Sequence, residues 1–345
     1  MCAQFWLHIP MTYQLNPNHT LFPHQERALE WMADIEANHT THGFTGGILS
    51  LTQGLGKTLT AVTHTFNNRG EFPALFIVKK AVMSEVQNCI NTFYPDAADD
   101  VLYFHKDFMS MGEINKMDRA TIQSKAIVVT TYNMLHMKEK TPFVDSVLII
   151  GEQFTMNAGK VMGSVTQKRI RADKPEVVGK AVIYATPWEH VFADESQTFA
   201  GPNTVTARCM MAVYGKHKWC LSGTPIRNYE SDLFSQLRWI GFDHRNADTP
   251  VKWGRFIRNG FFRSLSLDSW IMVMDYESAG VTLPKKIRHS IPLEFETEEE
   301  QRMYTAIRDR TRDLLASHAL GQVSFSNVLA MLTRLRQVCV AAHSI

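Results

Sequence analysis

A short glycine-rich segment of the chain contains the residue types that hold a polyphosphate. Gly54 and Gly56 let the backbone turn its N–H groups toward phosphate oxygens. The ammonium group of Lys57 can reach the outer phosphates, and the hydroxyl of Thr58 can bind Mg²⁺. The full phosphate-loop pattern also asks for a glycine where this chain has Leu51. The segment predicts a nucleotide-binding loop, and an ordinary strand-to-helix turn is the alternative interpretation.

Acidic side chains at the end of a neighbouring strand would complete such a site, because they bind Mg²⁺ and orient the attacking water. Asp194 and Glu195 follow the apolar run 189–193, and we expect Asp194 to bind Mg²⁺ and Glu195 to act as the general base. A competing strand, residues 147–150, is more apolar but ends in a glycine followed by Glu152. Asp194 and Glu195 could also simply cap the helix that follows them.

The composition is that of a folded protein without a strong overall charge. Of 345 residues, 45% are apolar and 20% charged, and the formal net charge is +2, so any contact with nucleic acid would come from local patches. The five cysteines form no C-x-x-C pair, which argues against a disulfide scaffold or a zinc site and suits a reducing, intracellular compartment. No basic leader and no apolar run of about 18 residues is present, so neither a signal peptide nor a membrane span is expected.

Apolar runs alternate with helical patterns along the chain, which predicts an α/β fold with a mostly parallel sheet flanked by helices. In such a fold, ligands bind at the carboxyl ends of the strands. Strands are predicted at residues 47–51, 74–78, 101–104, 126–131, 146–150, 181–185, 189–193 and 218–222. Helices are predicted at residues 24–35, 57–66, 82–93, 204–213 and 231–240, with a long helical tail over 297–340.

Several segments, taken in chain order, resemble the motifs of Swi/Snf-type ATPases, which are helicase-like motors of superfamily two. The segments are LFPHQ at 21–25 with Trp31, GGILSLTQGLGKT at 46–58, VLYFH at 101–105, IVVTTY at 127–132, DESQ at 194–197 with 202–204, WCLSGTPIRN at 219–228, and 232–242. The resemblance implies a RecA-like P-loop NTPase lobe over residues 21–242, after an N-terminal extension at 1–20 and with an insertion at about 138–187. It implies a helical connector toward a second lobe over residues 243–345.

The resemblance also implies cofactors, partners and site residues. ATP and Mg²⁺ would be the cofactors, and double-stranded DNA and a second RecA-like lobe, in cis or in trans, the partners. The implied catalytic residues are Lys57, Asp194 and Glu195; the cofactor-binding residues are Gln25, Gly54, Gly56, Lys57 and Thr58; and the metal ligands are Thr58 and Asp194. Gln25 would read the adenine edge. The residues expected to face a nucleic-acid backbone are Thr130, Thr131 and Tyr132. The residues expected to couple the state of the nucleotide to the binding of nucleic acid are Ser222, Gly223 and Thr224. For the hydroxyl groups in both sets, capping of turns is the alternative interpretation.

The chain departs from the family pattern at several positions. Leu51 and Thr52 replace an acidic pair, Gln197 replaces a histidine, and an apolar run at 271–275 stands where the family has two arginines. The basic run 167–174 could touch a phosphate backbone or be a solvated loop.

No arginine segment of the kind supplied by a second lobe is found, so we expect one lobe plus a connector that hydrolyses ATP only when completed. The function expected is a DNA translocase, in the nucleus or a viral replication compartment. A nucleotide- and DNA-binding scaffold with little hydrolysis and a strand-separating helicase are the alternatives.

Overall fold

The computed structural model describes residues 13–38, 44–136, 179–242, 249–259, 270–285, 287–290, 294–295, 297–319 and 324–339. By its contacts the chain divides into two compact units, Met1–Leu283 and Pro284–Ile345. The first unit carries the sheet, and the second carries two helices, here named α11 and α12, at Glu298–Ala319 and Phe325–Val338. No helix in these described ranges is long and apolar enough to cross a membrane.

The described residues of the first unit form a seven-stranded sheet in which every strand pair is parallel. The strands are β1 Ile48–Leu51, β2 Ala74–Val78, β3 Val101–Tyr103, β4 Ile127–Thr131, β5 His190–Asp194, β6 His217–Ser222 and β7 Ile271–Met274. Their order across the sheet is β3-β4-β2-β5-β6-β1-β7. The predicted α/β fold with a parallel sheet is therefore confirmed.

Helices cover both faces of this sheet, as a parallel sheet requires. They are α1 Pro23–Ala37, α2 Lys57–Asn67, α3 Met83–Phe93, α4 Met111–Lys116, α5 Arg119–Gln123, α6 Tyr132–Leu135, α7 Val182–Ala185, α8 Val205–Ala212, α9 Leu233–Trp239 and α10 Pro250–Arg258. Alternate residues of each strand enter two separate apolar clusters: Leu75 and Ile77 belong to one, Phe76 and Val78 to the other. This alternation places one cluster on each face of the sheet.

Two sequence predictions about strands were wrong or incomplete. Residues 181–185 form the end of a short 3₁₀ turn and helix α7 rather than a strand, because a short apolar run with every residue buried has no period that separates the two structures. Strand β7 was missed: its apolar run pairs with β1 from Ile48↔Ile271 to Leu51↔Met274. The predicted strand at 146–150 lies outside the described residues.

The sheet therefore continues past residue 242, where the sequence placed the end of the lobe. Strand β7 lies within the residues assigned to a helical connector, yet it forms the edge of the same sheet. Trp270, just before β7, is buried and packs against Phe44 and Phe242. The contacts that define the first unit run on to Leu283.

Two neighbouring residues of β7 provide a matched test of this pairing. Met274 is buried in the apolar cluster, whereas Val273 is 68% exposed on the other face of the strand. We expect Met274→Ala to lower the free energy of unfolding by about 2 kcal/mol or more, because truncating a buried side chain removes packing and leaves a cavity. Val273→Ala should change it by roughly 0.5 kcal/mol or less. Urea unfolding measures both, and equal losses would contradict the assignment of β7.

Candidate nucleotide site

The glycine-rich segment forms a tight loop between β1 and α2, at the carboxyl edge of the sheet. Gly54 and Gly56 have φ angles of +84° and +80°, in the left-handed region that glycine adopts without steric cost. Gly56 is the residue that caps the amino end of α2, and its carbonyl accepts from the backbone N–H of Thr60 at 2.9 Å. The free N–H groups and the dipole of such a helix end favour an anion. This local geometry suits a phosphate group.

The residues that replace the family's acidic pair fasten this loop to the rest of the sheet. Thr52 donates from its backbone N–H and from its hydroxyl to the carbonyl of Met274, at 3.0 and 3.3 Å. The hydroxyl of Tyr276 donates to the carbonyl of Gln53 at 2.8 Å. The carbonyl of Leu51 accepts from Lys57 Nζ at 2.8 Å. The end of β7 and the turn after it thus hold the loop in place.

Lys57 lies close to Asp194 and Glu195, the acidic pair at the carboxyl end of β5. Burial lowers the pKa of Lys57, and the negative charges of Asp194 and Glu195 oppose that shift. Asp194 ends β5 and is 8% exposed; burial first, and then the neighbouring Glu195, raise its pKa to about 6. A Cβ added to Gly223 would lie 3.8 Å from Lys57 Nζ, so the turn after β6 also borders the lysine. The structure therefore brings three of the sequence motifs to one place.

Glu195 has an unusual backbone conformation. Its φ is +50°, and among the described residues it is the only non-glycine with a positive φ. Such conformations cost on the order of 1–3 kcal/mol and concentrate at functional sites. Glu195 precedes the 3₁₀ turn Ser196–Phe199 without making a side-chain capping hydrogen bond. Its carboxylate is therefore not used as a helix cap, which was the alternative interpretation of this residue.

A chain of hydrogen bonds links Glu195 to the turn after β6. Gln197 donates from Nε2 to Glu195 Oε2 and accepts at Oε1 from the Ser222 hydroxyl at 2.7 Å. The same hydroxyl oxygen accepts from the backbone N–H of Thr224 at 2.9 Å. We name Glu195, Gln197, Ser222 and Thr224 the relay. Gln197 and Ser222 are buried, while Gly223 and Thr224 are exposed, so the relay runs from the acidic pair to the surface.

A second link between the same segments was missed at the sequence level. The Ser196 hydroxyl donates to Gln236 Oε1 at 2.6 Å, and Gln236 Nε2 donates to the carbonyls of Pro225 and Asp232 at 2.8 and 3.0 Å. Both side chains are fully buried. A glutamine among the apolar residues of α9 was the available signal, since a buried amide needs partners for all its polar atoms.

The amino end of α1 is attached to the phosphate loop. Gln25 is buried; its Oε1 accepts from the backbone N–H of Phe22 at 2.9 Å, and its Nε2 occupies the space that a Cβ on Gly56 would need. His24 Nε2 lies 3.0 Å from the carbonyl of Leu55. The ring of Phe22 is 63% exposed beside these residues. An exposed aromatic ring next to the loop is a surface on which a base can stack.

The three residues expected to face a nucleic-acid backbone are buried in this structure. They end β4 and begin α6, and β4 lies between two other strands under helices on both faces. Thr130 donates to the carbonyl of Phe104 at 3.0 Å, and the hydroxyl of Tyr132 donates to the carbonyl of Asp194 at 2.7 Å. Thr131 is buried too. Tyr132 thus holds the backbone of Asp194 in place by a hydrogen bond. Glu152 and the basic run 167–174 lie outside the described residues.

Comparisons with known proteins show which sequences and structures the chain resembles. The family model described as the SNF2-related domain matches residues 24–253. A putative helicase, 172L, of Invertebrate iridescent virus 6 is 39% identical in an alignment of 347 positions that covers 96% of this chain and 56% of that protein. The DNA repair protein RAD5 of Yarrowia lipolytica is 24% identical over 92% of this chain and 29% of its own length. The chain thus spans little more than half of the first relative and less than a third of the second.

The solved structures similar to this one show the fold. The SWI2/SNF2 ATPase core of Sulfolobus solfataricus in complex with double-stranded DNA superposes with a TM-score of 0.54 at 18% identity, over 99% of this chain and 62% of that chain. A second structure, the SWI2/SNF2 ATPase core domain of the same organism, gives a TM-score of 0.52 at 19% identity, over 98% of this chain and 60% of that chain. The RecA-like fold expected from the sequence is confirmed.

The two loop glycines provide a matched test of the packing between the loop and α1. Both have positive φ, so an alanine at either position has a similar backbone cost of about 1–2 kcal/mol. A Cβ at Gly54 would meet nothing within 4 Å, whereas one at Gly56 would overlap Gln25 Nε2. We expect Gly56→Ala to lower the free energy of unfolding by about 1–3 kcal/mol more than Gly54→Ala. Chemical denaturation without nucleotide measures the difference, and equal losses would show that Gln25 does not constrain the loop.

Proposed function

The chain belongs to the SNF2-related family, and from that membership we propose that it is the first lobe of an ATP-driven motor that moves along double-stranded DNA. The relay carries this proposal, since it joins the acidic pair beside Lys57 to an exposed turn. A motor needs such a connection between the site of hydrolysis and the surface that grips its track. The activity would place the protein where DNA is found, in the nucleus or in a viral replication compartment.

The residues present fit Mg-ATP. The glycine φ angles, the open space around Gly54 and the helix end at Gly56 suit a phosphate group. When bound, Mg-ATP would supply the phosphoanhydride bond and a metal ion that offsets the charge on its phosphates. Thr58 and Asp194 would hold the metal. Lys57 would leave the carbonyl of Leu51 to bind a phosphate oxygen, which exchanges one hydrogen bond for a charged one.

Glu195 would accept the proton of the hydrolytic water. Its carboxylate carries the hydrogen bond from Gln197, and Gln197 is in turn held by Ser222. A movement of the turn at Gly223 and Thr224 would therefore change the partner of the general base. In this proposal the exposed turn senses DNA, directly or through the second lobe, and the relay conveys its position to Glu195.

A second RecA-like lobe, in cis or in trans, would complete the site. Phosphoryl transfer needs positive charge on the far side of the transferred group, commonly from arginine side chains. The longer relatives have room for such a lobe beyond the matched region. The present chain would then bind nucleotide and hydrolyse it very slowly by itself.

Two internal hydrogen bonds favour a different function, that of a nucleotide-binding scaffold with little hydrolysis. Lys57 is bonded to the carbonyl of Leu51, and Glu195 to the amide of Gln197, so both reactive groups have partners within the protein. The two functions differ in DNA-stimulated ATP hydrolysis, which the scaffold would lack. A strand-displacement assay with the complete protein separates a translocase from a strand-separating helicase.

Nucleotide binding by this chain depends on Lys57 in the proposal. We expect Lys57→Ala to weaken the binding of a fluorescent ATP analogue by about tenfold or more, because one charge-assisted hydrogen bond contributes about 1.5–3 kcal/mol. Lys216→Ala is the matched control. Lys216 pairs with Glu189 just before β5, at the amino ends of the strands and away from the candidate nucleotide site. Equal affinity of the two variants would contradict the assignment of the phosphate loop.

Hydrolysis by the complete two-lobe protein depends on Glu195. We expect Glu195→Gln to lower the DNA-stimulated rate of phosphate release by about 10²–10⁴-fold, the usual contribution of a general base, while nucleotide affinity stays within a factor of a few. Glu85→Gln, an exposed glutamate on α3, should leave the rate unchanged. If Glu195→Gln retains the full stimulated rate, the catalytic assignment fails; if the unmodified protein shows no stimulated rate, the scaffold function stands.

A further inference from the structure

A group of buried nitrogen and oxygen atoms lies near the amino ends of the strands, away from the candidate nucleotide site. His190 begins β5, His64 lies in the last turn of α2, and Glu36 lies near the end of α1. His64 Nε2 is 2.8 Å from Glu36 Oε1, and His190 Nε2 is 3.4 Å from Glu36 Oε2. The three ligand atoms lie within 4.8 Å of one another. We name these residues the Glu36 cluster.

We propose that the Glu36 cluster binds one Zn²⁺ ion, with Glu36, His64 and His190 as its protein ligands. Imidazole nitrogen and carboxylate oxygen are the zinc ligands other than cysteine, and two histidines with one glutamate form a known ligand set. A water molecule or the second oxygen of Glu36 would complete four ligands. This site contains no cysteine, so the cysteine pattern that argued against a zinc site has no bearing on it.

The spacing of the ligand atoms suits a tetrahedral ion. Zinc-to-ligand bonds of about 2.0–2.1 Å put neighbouring ligand atoms roughly 3.3 Å apart. Each imidazole faces a different oxygen of Glu36: His190 Nε2 lies 3.4 Å from Oε2, and His64 Nε2 lies 2.8 Å from Oε1. The Glu36 side chain, which is 10% exposed, would have to turn its carboxylate so that one oxygen and both rings surround the ion.

The ligands lie in a poorly solvated place. The side chain of Glu36 is 10% exposed, and those of His64 and His190 are 0% and 2% exposed. A charge in such a place is costly unless it is paired. A divalent cation offsets the charge of a carboxylate and accepts imidazole nitrogen as a further ligand.

Neighbouring side chains hold the ligands in orientation. The indole N–H of Trp219 donates to Glu36 Oε1 at 2.7 Å. His217 stacks on His190 with ring centroids 5.5 Å apart, so a second ring covers that side. Such outer contacts fix the geometry of metal ligands. Without an ion, the same contacts form a hydrogen-bonded network, and the experiment below distinguishes the two.

The test is direct metal binding by the purified, tag-free chain after chelator treatment. Co²⁺, which replaces Zn²⁺ and gives visible absorption in a tetrahedral site, is the probe, and Zn²⁺ should displace it. We expect one equivalent to bind, with a higher Tm in the loaded protein. Since even outer contacts cost 10–100-fold in affinity, His64→Gln and His190→Gln should each lose about 100-fold or more. His105→Gln, a buried histidine at the end of β3 outside the cluster, should bind as the unmodified chain does.

A substitution that replaces one ligand by another keeps the test decisive if the glutamine variants fail to fold. His190→Cys supplies a thiolate, so its Co²⁺ complex should show a thiolate-to-cobalt charge-transfer band that the unmodified protein and His105→Cys lack. Circular dichroism checks that each protein is folded. The proposal is overturned if the folded, unmodified chain binds no Co²⁺ or Zn²⁺ stoichiometrically, if both glutamine variants bind normally, or if His190→Cys shows no such band.

Discussion

The register between β5 and β6 determines where the side chains of the candidate nucleotide site meet. Asp194 pairs with Leu221, so Ser222 stands one residue further along at the same edge and reaches Gln197. The register between β6 and β1 pairs Ser222 with Ser50, which sets the start of the phosphate loop beside the same turn. A slip by one residue would turn every side chain of a strand to the other face. Because both faces are packed with apolar residues, the strands have little freedom to slip. The positions of the side chains at the carboxyl ends of the strands are fixed as a result.

Buried side chains connect the segment after β5 to the segment after β6 by hydrogen bonds. Gln197 and Gln236 are buried amides, and each joins the segment after β5 to the segment after β6. Hydrogen bonds in a poorly solvated interior are strong, and breaking one leaves an unsatisfied partner. The two segments are thereby constrained to move together. The strained backbone of Glu195 lies at one end of this arrangement, where the packing around it overcomes the local preference of the residue.

The sequence predicted best what depends on neighbouring residues. Strand β1 and helix α2 follow from local periodicity, and the loop between them follows from glycine chemistry. Features that depend on distant partners were missed. An apolar run at residues 271–274 becomes an edge strand only because β1 offers an unpaired side. Thr130 and Tyr132 are buried by elements on both sides of β4, which their own segment does not reveal. Glu36, His64 and His190 come from three separate elements with no common spacing, so no motif could have joined them.

Strand β1 forms near the start of the chain, yet both of its partners lie near the end of the first unit. Its neighbours in the sheet are β6 and β7, and the loop that follows it is tied to Met274, 222 residues after Thr52. At a synthesis rate of 5–20 residues per second, roughly 10–45 s pass between the two segments on the ribosome. Until β6 is made, this apolar strand has both edges unpaired, and until β7 is made it has one, which is a hazard for aggregation. The loop after β1 is thus made well before the residues that hold it in place, and its bond from the Tyr276 hydroxyl to the carbonyl of Gln53 forms only after Tyr276 has emerged.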